Sequence, residues 1–525
     1  MTAASGFPEM NDLGKTARRT VLLLTLAVSM MLMSAQFDIG PVMGDEGILA
    51  MDGWRIFRGE APHRDFFQFI PPLAALVQAV FFKVLSPSVL ALRTLGTIYG
   101  LMVLTLAFFF FRRFIKDELV LALSLSLLVP FGLGGWLFGS HHWLCGILQL
   151  AAAVCLLKGL ERGSSVLCGA SGILLGLSAF ALQDQGAYAV AGITMSALFL
   201  RGKERRRLLL AAGSASLAFI LAAAPFALQA SPGRLFHDWV YFPLFNYKAA
   251  GGNQFTLAGY LERMAAPWDW ELMKAAPVYE TGWAISSSFL LLTPFLSLAC
   301  LFYVWFRRSR PRTELLIITV ICLSFLLGAF HRLALTNLSW AFPALLPFYM
   351  TADSLSSGNG KWRKYLSKSL VSLLLAAAVG FSIVRTGMCL DREATHTLST
   401  PAGSYRLFNP AETRNARELV EEIGRRMPVN EPMFCVGYSP LINFLTQRPN
   451  PTAFNFMVPG GYYSREQVLA WMTEINEKGV EWGFGEKPFI TAESAARLLP
   501  AFEVAFENDR YILFKKKRTE PGSEK

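Results

Sequence analysis

Residues 20–47 read TVLLLTLAVSMMLMSAQFDIGPVMGDEG. The first part, Thr20 to Phe37, carries no charged side chain and is long enough to cross a bilayer as a helix. The last part sets two adjacent carboxylates, Asp45 and Glu46, just beyond that run. A span followed closely by paired acids places proton-handling groups at a membrane mouth, within reach of a lipid-borne substrate. Lys15, Arg18 and Arg19 precede the run, and no small-residue cleavage pattern ends it. It therefore reads as an uncleaved first span with its N-terminus in the cytoplasm.

Working outward, the chain has 525 residues, 53% of them hydrophobic and only 17% charged, and its mean hydropathy is +0.39. A soluble protein of this size has no interior large enough for that much apolar surface, so the chain reads as a polytopic α-helical membrane protein. The formal net charge of +11 does not imply a nucleic-acid partner, because the cations fall in short clusters between apolar runs. These clusters are Arg112, Arg113 and Lys116; Lys158 and Arg162; Arg201, Lys203 and Arg205 to Arg207; Arg307 to Arg312; and Lys361 to Lys368. Cytoplasmic loops collect such clusters. The intervening turns at Gly139–His142, Gln183–Gln185 and His331–Arg332, with the long segment from Ser231 to Trp283, are poor in them and belong outside.

This alternation requires that Pro71 to Leu85 does not cross, since a crossing there would put Arg112 and Arg113 outside. The stretch is about fifteen residues, short for a span, and carries Gln78 and Lys83. It reads as an amphipathic helix on the outer surface. The expected spans number about eleven, near 20–37, 88–111, 119–138, 143–157, 165–182, 186–200, 208–229, 284–306, 314–330, 338–352 and 367–386. Residues 1–386 thus form a transmembrane module, with a first external loop over 38–86 and a large one over 230–283. Residues 387–525 change to soluble patterning and read as a small extracytoplasmic α/β domain. Helices are expected over Thr413–Met427 and Arg465–Lys478, a strand at Met433–Gly437, and a hairpin from Phe502–Phe506 and Tyr511–Phe514.

Of the seven cysteines, Cys145, Cys155, Cys168, Cys300 and Cys322 lie in or beside apolar runs, as packing residues do. Cys389 and Cys435 share the polar tail and could pair in an oxidising compartment. No Cys/His spacing suits a metal, so a divalent ion finds no support in the sequence.

The topology gathers Asp45, Glu46, Arg64, Asp65, Lys83, Arg93, His141, His142, Asp184, His331 and Arg332 at the outer face. The first loop, Asp38 to Gln68, holds six acidic and three basic residues. Acids beside cations suit a reaction in which a carboxylate takes a proton while a phosphate departs. Simpler roles stand beside this one. Asp45 and Glu46 would also favour a helix N-terminus, and Arg64 with Asp65 would form a loop ion pair. Lys83 and Arg93 would snorkel to headgroups. His141 and His142 would mark an interface, and Gln183–Gln185 a polar turn. Arg332, at the outer end of a span, suits a phosphate clamp, with His331 beside it.

The stretches Gly44-Asp45-Glu46-Gly47, Trp54 to Phe66 and Pro71-Pro72-Leu73 resemble the first external loop of the GT-C glycosyltransferases. More narrowly they resemble the protein mannosyltransferase and aminoarabinose transferase-like branch. Ser439 to Thr452 is similar to the external tail of bacterial members. The resemblance implies a polyprenyl-phosphate sugar as donor, a glycan, lipid or protein as acceptor, and membrane lipids but no nucleic acid as partners. It implies Asp45 as the base, with Glu46 as its electrostatic neighbour. Donor phosphate would be held by Arg332, Lys83, Arg93 and His331, and the pocket would draw on Arg64, Asp65, His141, His142 and Asp184. It implies no obligatory cofactor, since metal dependence varies between branches. The setting would be a bacterial inner membrane, and single displacement would invert the anomeric carbon.

Two other functions fit part of the pattern. A lipid or sugar transporter or flippase would show ionisable groups near mid-membrane and paired interrupted helices. A non-catalytic glycan-assembly protein would keep the fold without the chemistry.

Overall fold

The computed structural model describes residues 12–40, 44–115, 139–247, 257–265, 277–307, 311–330, 341–356 and 386–517, apart from Ala394, Gly460 and Tyr462, with a few isolated positions between them. The expected spans at 119–138 and 367–386 fall almost wholly outside the described residues, as do His331 and Arg332.

The N-terminal part is helical. After α1 (Asp12–Ser34) come α2 (Asp45–Phe57) and α3 (Leu73–Leu85), then α4 (Val89–Phe111), α5 (His141–Arg162), α6 (Ser165–Ala181), α7 (Gln183–Leu198) and α8 (Gly202–Ala230). A short α9 (Pro232–Phe236) runs into a π-helix (His237–Tyr247). Then follow α10 (Leu257–Ala265), α11 (Pro277–Arg307), α12 (Arg312–Phe330) and α13 (Leu346–Ser356). Among the described residues, α4, α5, α8 and α12 are long and apolar enough to cross a membrane. The helix expected at Pro71–Leu85 is α3, only 13 residues long.

Local chemistry sets several boundaries. Ser88, Ser140 and Ser164 cap α4, α5 and α6 by accepting a backbone N–H of the first turn. Gly163, with φ +69°, ends α5 in the left-handed conformation.

Polar contacts tie one end of the bundle together. Arg113, just beyond α4, pairs with Glu161 near the end of α5 and lies 3.3 Å from Glu314 at the start of α12. Thr313 donates to Glu204 of α8 at 2.6 Å, and Arg207 donates to the Gly163 carbonyl at 2.8 Å. Four basic clusters therefore meet at the same end, as the charge alternation requires of loops on one side.

The C-terminal part opens with a hairpin, β1 (His396–Thr400) and β2 (Gly403–Leu407), followed by α14 (Pro410–Arg426). Next come β3 (Met433–Val436), α15 (Leu441–Thr446), α16 (Arg465–Glu477), β4 (Trp482–Glu486), α17 (Ala492–Leu498), β5 (Phe502–Glu507) and β6 (Tyr511–Lys516). The main sheet has the order β3-β4-β6-β5, with β3 parallel to β4 and the other pairs antiparallel. The expected helices, strand and hairpin correspond to α14, α16, β3 and β5–β6. The β1–β2 hairpin and β4 were not expected.

This sheet domain shares a hydrophobic core with the first loop. Ala50, Met51 and Trp54 of α2 and Phe82 of α3 are buried with Leu441 and Phe444 of α15. Phe444 meets the Trp54 ring edge-on at 6.0 Å and stacks on Phe82 at 5.5 Å. β2 reaches the chain just before the acidic pair, where Arg406 grips both Asp38 carboxylate oxygens at 2.8 and 2.7 Å. Cys389 and Cys435 are separate, buried thiols.

Candidate active site

Asp45 and Glu46 begin α2, where two acids favour the helix dipole, and Gly44 caps it without a side-chain bond. The doublet then divides. Glu46 turns into the protein and is 2% exposed, ion-paired with the equally buried Arg93 of α4. The second guanidinium nitrogen of Arg93 reaches Glu46 at 3.3 Å and the Ile39 carbonyl at 3.2 Å. Asp45 faces a large cavity instead and accepts the Tyr438 O–H at 2.7 Å.

Two glycines make this approach possible. A Cβ on Gly44 would collide with the Tyr438 ring, and one on Gly47 would stand 2.6 Å from the Leu441 nitrogen. Tyr438 is itself held by its backbone N–H, which donates to Glu486 at 2.7 Å. Burial raises the Glu486 carboxyl above its usual range.

The cavity measures about 1480 Å³. One part is apolar, contributed by α6, α7 and α8 through residues such as Ala179, Val190 and Phe219. The other part is polar and aromatic, contributed by α2, the Phe67–Ile70 loop and the C-terminal domain. Several lining residues of α7, α8 and the π-helix keep large accessible areas: Tyr188, Ile220 and Leu244 are 42%, 60% and 55% exposed.

Asp52 stands two turns along α2 from Asp45 and lines the same cavity. Asn455 donates to one of its oxygens at 2.5 Å and Gln68 to the other at 3.0 Å. Burial pushes its pKa up to about 8, against the opposing pull of Arg55 and the two amides. Arg55 in turn binds the Thr452 carbonyl at 2.8 Å and Asn455 at 3.1 Å, locking α2 to the C-terminal domain.

A second buried network fixes the π-helix wall. Trp239 Nε1 donates to His63 Nε2 at 3.1 Å, so the imidazole carries its proton on Nδ1 and gives it to Asp238 at 2.9 Å. Asp238 also accepts from Arg234 at 3.1 Å and meets His237 Nδ1 at 2.9 Å. Pro243 lies inside this π-helix, where a missing N–H disturbs ordinary helical bonding.

The candidate residues separate clearly. Asp45, His141, His142 and Asp184 line the cavity. Glu46 and Arg93 form the buried pair behind it. Arg64 and Asp65 lie outside the lining as a partly exposed ion pair, in which Arg64 holds the Asp65 carboxyl down to about 2. Lys83 is exposed and does not line the cavity. No lysine or arginine lines the chamber among the described residues. Asp52, Gln68, Asn455 and Tyr438 join the site without having been singled out. The available clue was the position of Asp52, seven residues beyond Asp45 in the same loop.

No protein-family model matches the chain, and no curated protein matches it in sequence. Solved structures do. The chain is similar to ArnT from Cupriavidus metallidurans bound to undecaprenyl phosphate, at 13% identity and a TM-score of 0.58, over 94% of this chain and 97% of that one. It is equally similar to the apo state of that protein, at 14% identity and a TM-score of 0.56, over 95% and 98%. At this identity the likeness establishes the fold. The likeness runs over nearly the whole length of both chains.

Proposed function

We propose that the protein is an inverting membrane glycosyltransferase that moves a sugar from a polyprenyl-phosphate carrier to an acceptor at the extracytoplasmic face. The observation that carries this reading is Asp45, which faces a chamber that is polar toward the C-terminal domain and apolar toward α6, α7 and α8. Such a chamber matches a lipid with a polar head. The exposed apolar residues Ile220 and Leu244 in its lining suit a tail that stays in the bilayer while the head enters. The undecaprenyl phosphate bound by ArnT, on the same fold, favours a carrier of that class.

The chemistry needs few groups. A polyprenyl phosphate is a good leaving group, so one base and stabilisation of the departing phosphate suffice. Asp45 accepts the proton of the acceptor hydroxyl as its oxygen attacks the anomeric carbon, and the phosphate leaves on the opposite face with the bonding pair. Glu46 and Arg93 hold the start of α2 in place. Arg332 and His331 remain the proposed phosphate ligands, and His141 and His142 line the chamber that Asp45 faces. The acceptor reaches Asp45 past the C-terminal domain, which contributes Tyr438 and Asn455 to the lining.

The test is mass analysis of envelope glycans and lipids from cells with and without the protein, beside Asp45→Asn. A sugar-bearing product that disappears in both strains supports the proposal. An unchanged glycan and lipid profile, or full turnover by a folded Asp45→Asn protein, overturns it.

A further inference from the structure

Two amide oxygens in the chamber wall lack hydrogen-bond partners among the described residues. Gln68 is 5% exposed and lines the cavity. Its Nε2 donates to Asp52 at 3.0 Å. Its Oε1 is left buried with no partner among the described residues. Gln183 repeats the arrangement from the α6–α7 turn. Its Nε2 donates to the Phe69 carbonyl at 2.8 Å and the Trp239 carbonyl at 3.4 Å, and its Oε1 is also without a partner. Native interiors rarely leave such acceptors unsatisfied, and the exceptions point to a missing donor.

Phe69 connects the two glutamines: it follows Gln68 in the chain, and Gln183 holds its carbonyl. Its ring stacks on Tyr247 at 5.3 Å. The cavity lining is rich in acceptors and includes the acids Asp45, Asp52 and Asp184. A phosphate, which offers only acceptors at neutral pH, is poorly matched to the two glutamine oxygens. A ring carrying several hydroxyl donors is well matched.

We infer that Gln68 and Gln183, beside the Phe69–Tyr247 ring pair, form the subsite for the transferred sugar, each accepting a hydrogen bond from a ring hydroxyl. This rests on the polyprenyl-phosphate-sugar reading above. The two glutamines hold the sugar while its phosphate lies elsewhere in the chamber, so they govern recognition of the sugar and not of the lipid.

The test is native mass spectrometry on the full-length protein in detergent. The probes are undecaprenyl phosphate and the glycosylated polyprenyl phosphates extracted from the source membranes. The wild-type protein is expected to retain a glycosylated lipid in preference to the bare one. Gln68→Met and Gln183→Met should each reduce that preference about fivefold to tenfold, leaving undecaprenyl phosphate binding intact. Retained binding of the bare lipid also reports folding. If Gln183→Met fails to fold, because the Phe69 and Trp239 carbonyls lose their donor, Gln68→Met alone decides. A preference unchanged in the folded variants overturns the subsite, as does equal binding of both lipids by the wild type. Failure to bind either lipid overturns the carrier reading itself.

Discussion

Tyr438 of the C-terminal domain donates its phenolic O–H to Asp45 at 2.7 Å, across a sequence separation of 393 residues. The proposed base therefore takes its orientation from a different part of the fold. A single bond to a charged group contributes about 1.5–3 kcal/mol. Tyr438→Phe should lower kcat by about tenfold or more while the KM for the lipid donor changes little. Steady-state kinetics on purified protein would check this, and a change confined to KM would argue against it.

Asp45→Asn keeps the size of the side chain and its bond to Tyr438 but removes the basic oxygen. General-base catalysis contributes about 10²–10⁴-fold. Turnover should fall by that order, with binding of undecaprenyl phosphate retained in native mass spectra and the thermal midpoint little changed.

Glu46 and Arg93 are a buried ion pair, and neither lines the chamber. Removing one partner leaves the other charge buried alone, which costs about 3–5 kcal/mol. Arg93→Met should lower the melting temperature in detergent steeply, and adding Glu46→Leu should restore much of the loss. A phosphate ligand would behave differently, raising KM with no rescue by the second change. Lys83→Ala, at an exposed position outside the chamber, should leave both stability and lipid binding unchanged.

Much of this fold is legible in the sequence because its determinants are local. The charge-free run Thr20–Phe37 falls largely within α1, and the short stretch at Pro71–Leu85 gives α3, too short to span. The basic clusters meet at one end through Arg113, Glu161 and Glu314. Asp45 is legible as a carboxylate just beyond the first apolar run, and it lines the chamber. What is not legible depends on distant pairing. Nothing near Asp52 announces that Asn455 will bond to it from 403 residues away. Arg93 reads as a snorkelling cation because Glu46, which neutralises it, stands 47 residues earlier. Gly44 and Gly47 mark the acidic motif, but their reason is the close approach of Tyr438 and Leu441. The Ser439–Thr452 stretch resembles an external tail, and in the fold it is the part of the C-terminal domain that packs on α2. Its Arg448 is buried and bonds the Thr446 and Met427 carbonyls at 2.8 and 2.7 Å.

Asp52 makes stability depend on pH. Its folded pKa of about 8 lies above the ordinary value of 3.8, because burial disfavours the charged form. Between those values the folded state holds a proton that the unfolded chain releases. The stability contributed by neutral Asp52 is therefore fully present below the unfolded value and is lost as pH rises through about 8. Unfolding midpoints of the wild type should fall from pH 5 to pH 8 more steeply than those of Asp52→Asn. Parallel curves for the two proteins would show that Asp52 does not titrate in this window.

The His63–Asp238 network makes a prediction about the chamber wall and not about chemistry. Both side chains are fully buried, and Asp238 receives His63 and Arg234 on one oxygen and meets His237 on the other. Asp238→Asn removes the negative charge that Arg234 and His63 face on one oxygen. A hydrogen bond to a charged group contributes about 1.5–3 kcal/mol. The loss falls where the π-helix meets the first loop, since His63 belongs to that loop and Trp239 to the π-helix. Amide hydrogen exchange over 231–247 should accelerate, with α4 and α5 unaffected. Because Trp239, Pro243 and Leu244 line the chamber, donor affinity should weaken more than kcat. A variant that loses kcat while exchange over 231–247 stays at the wild-type rate would instead place Asp238 in the proton-handling machinery.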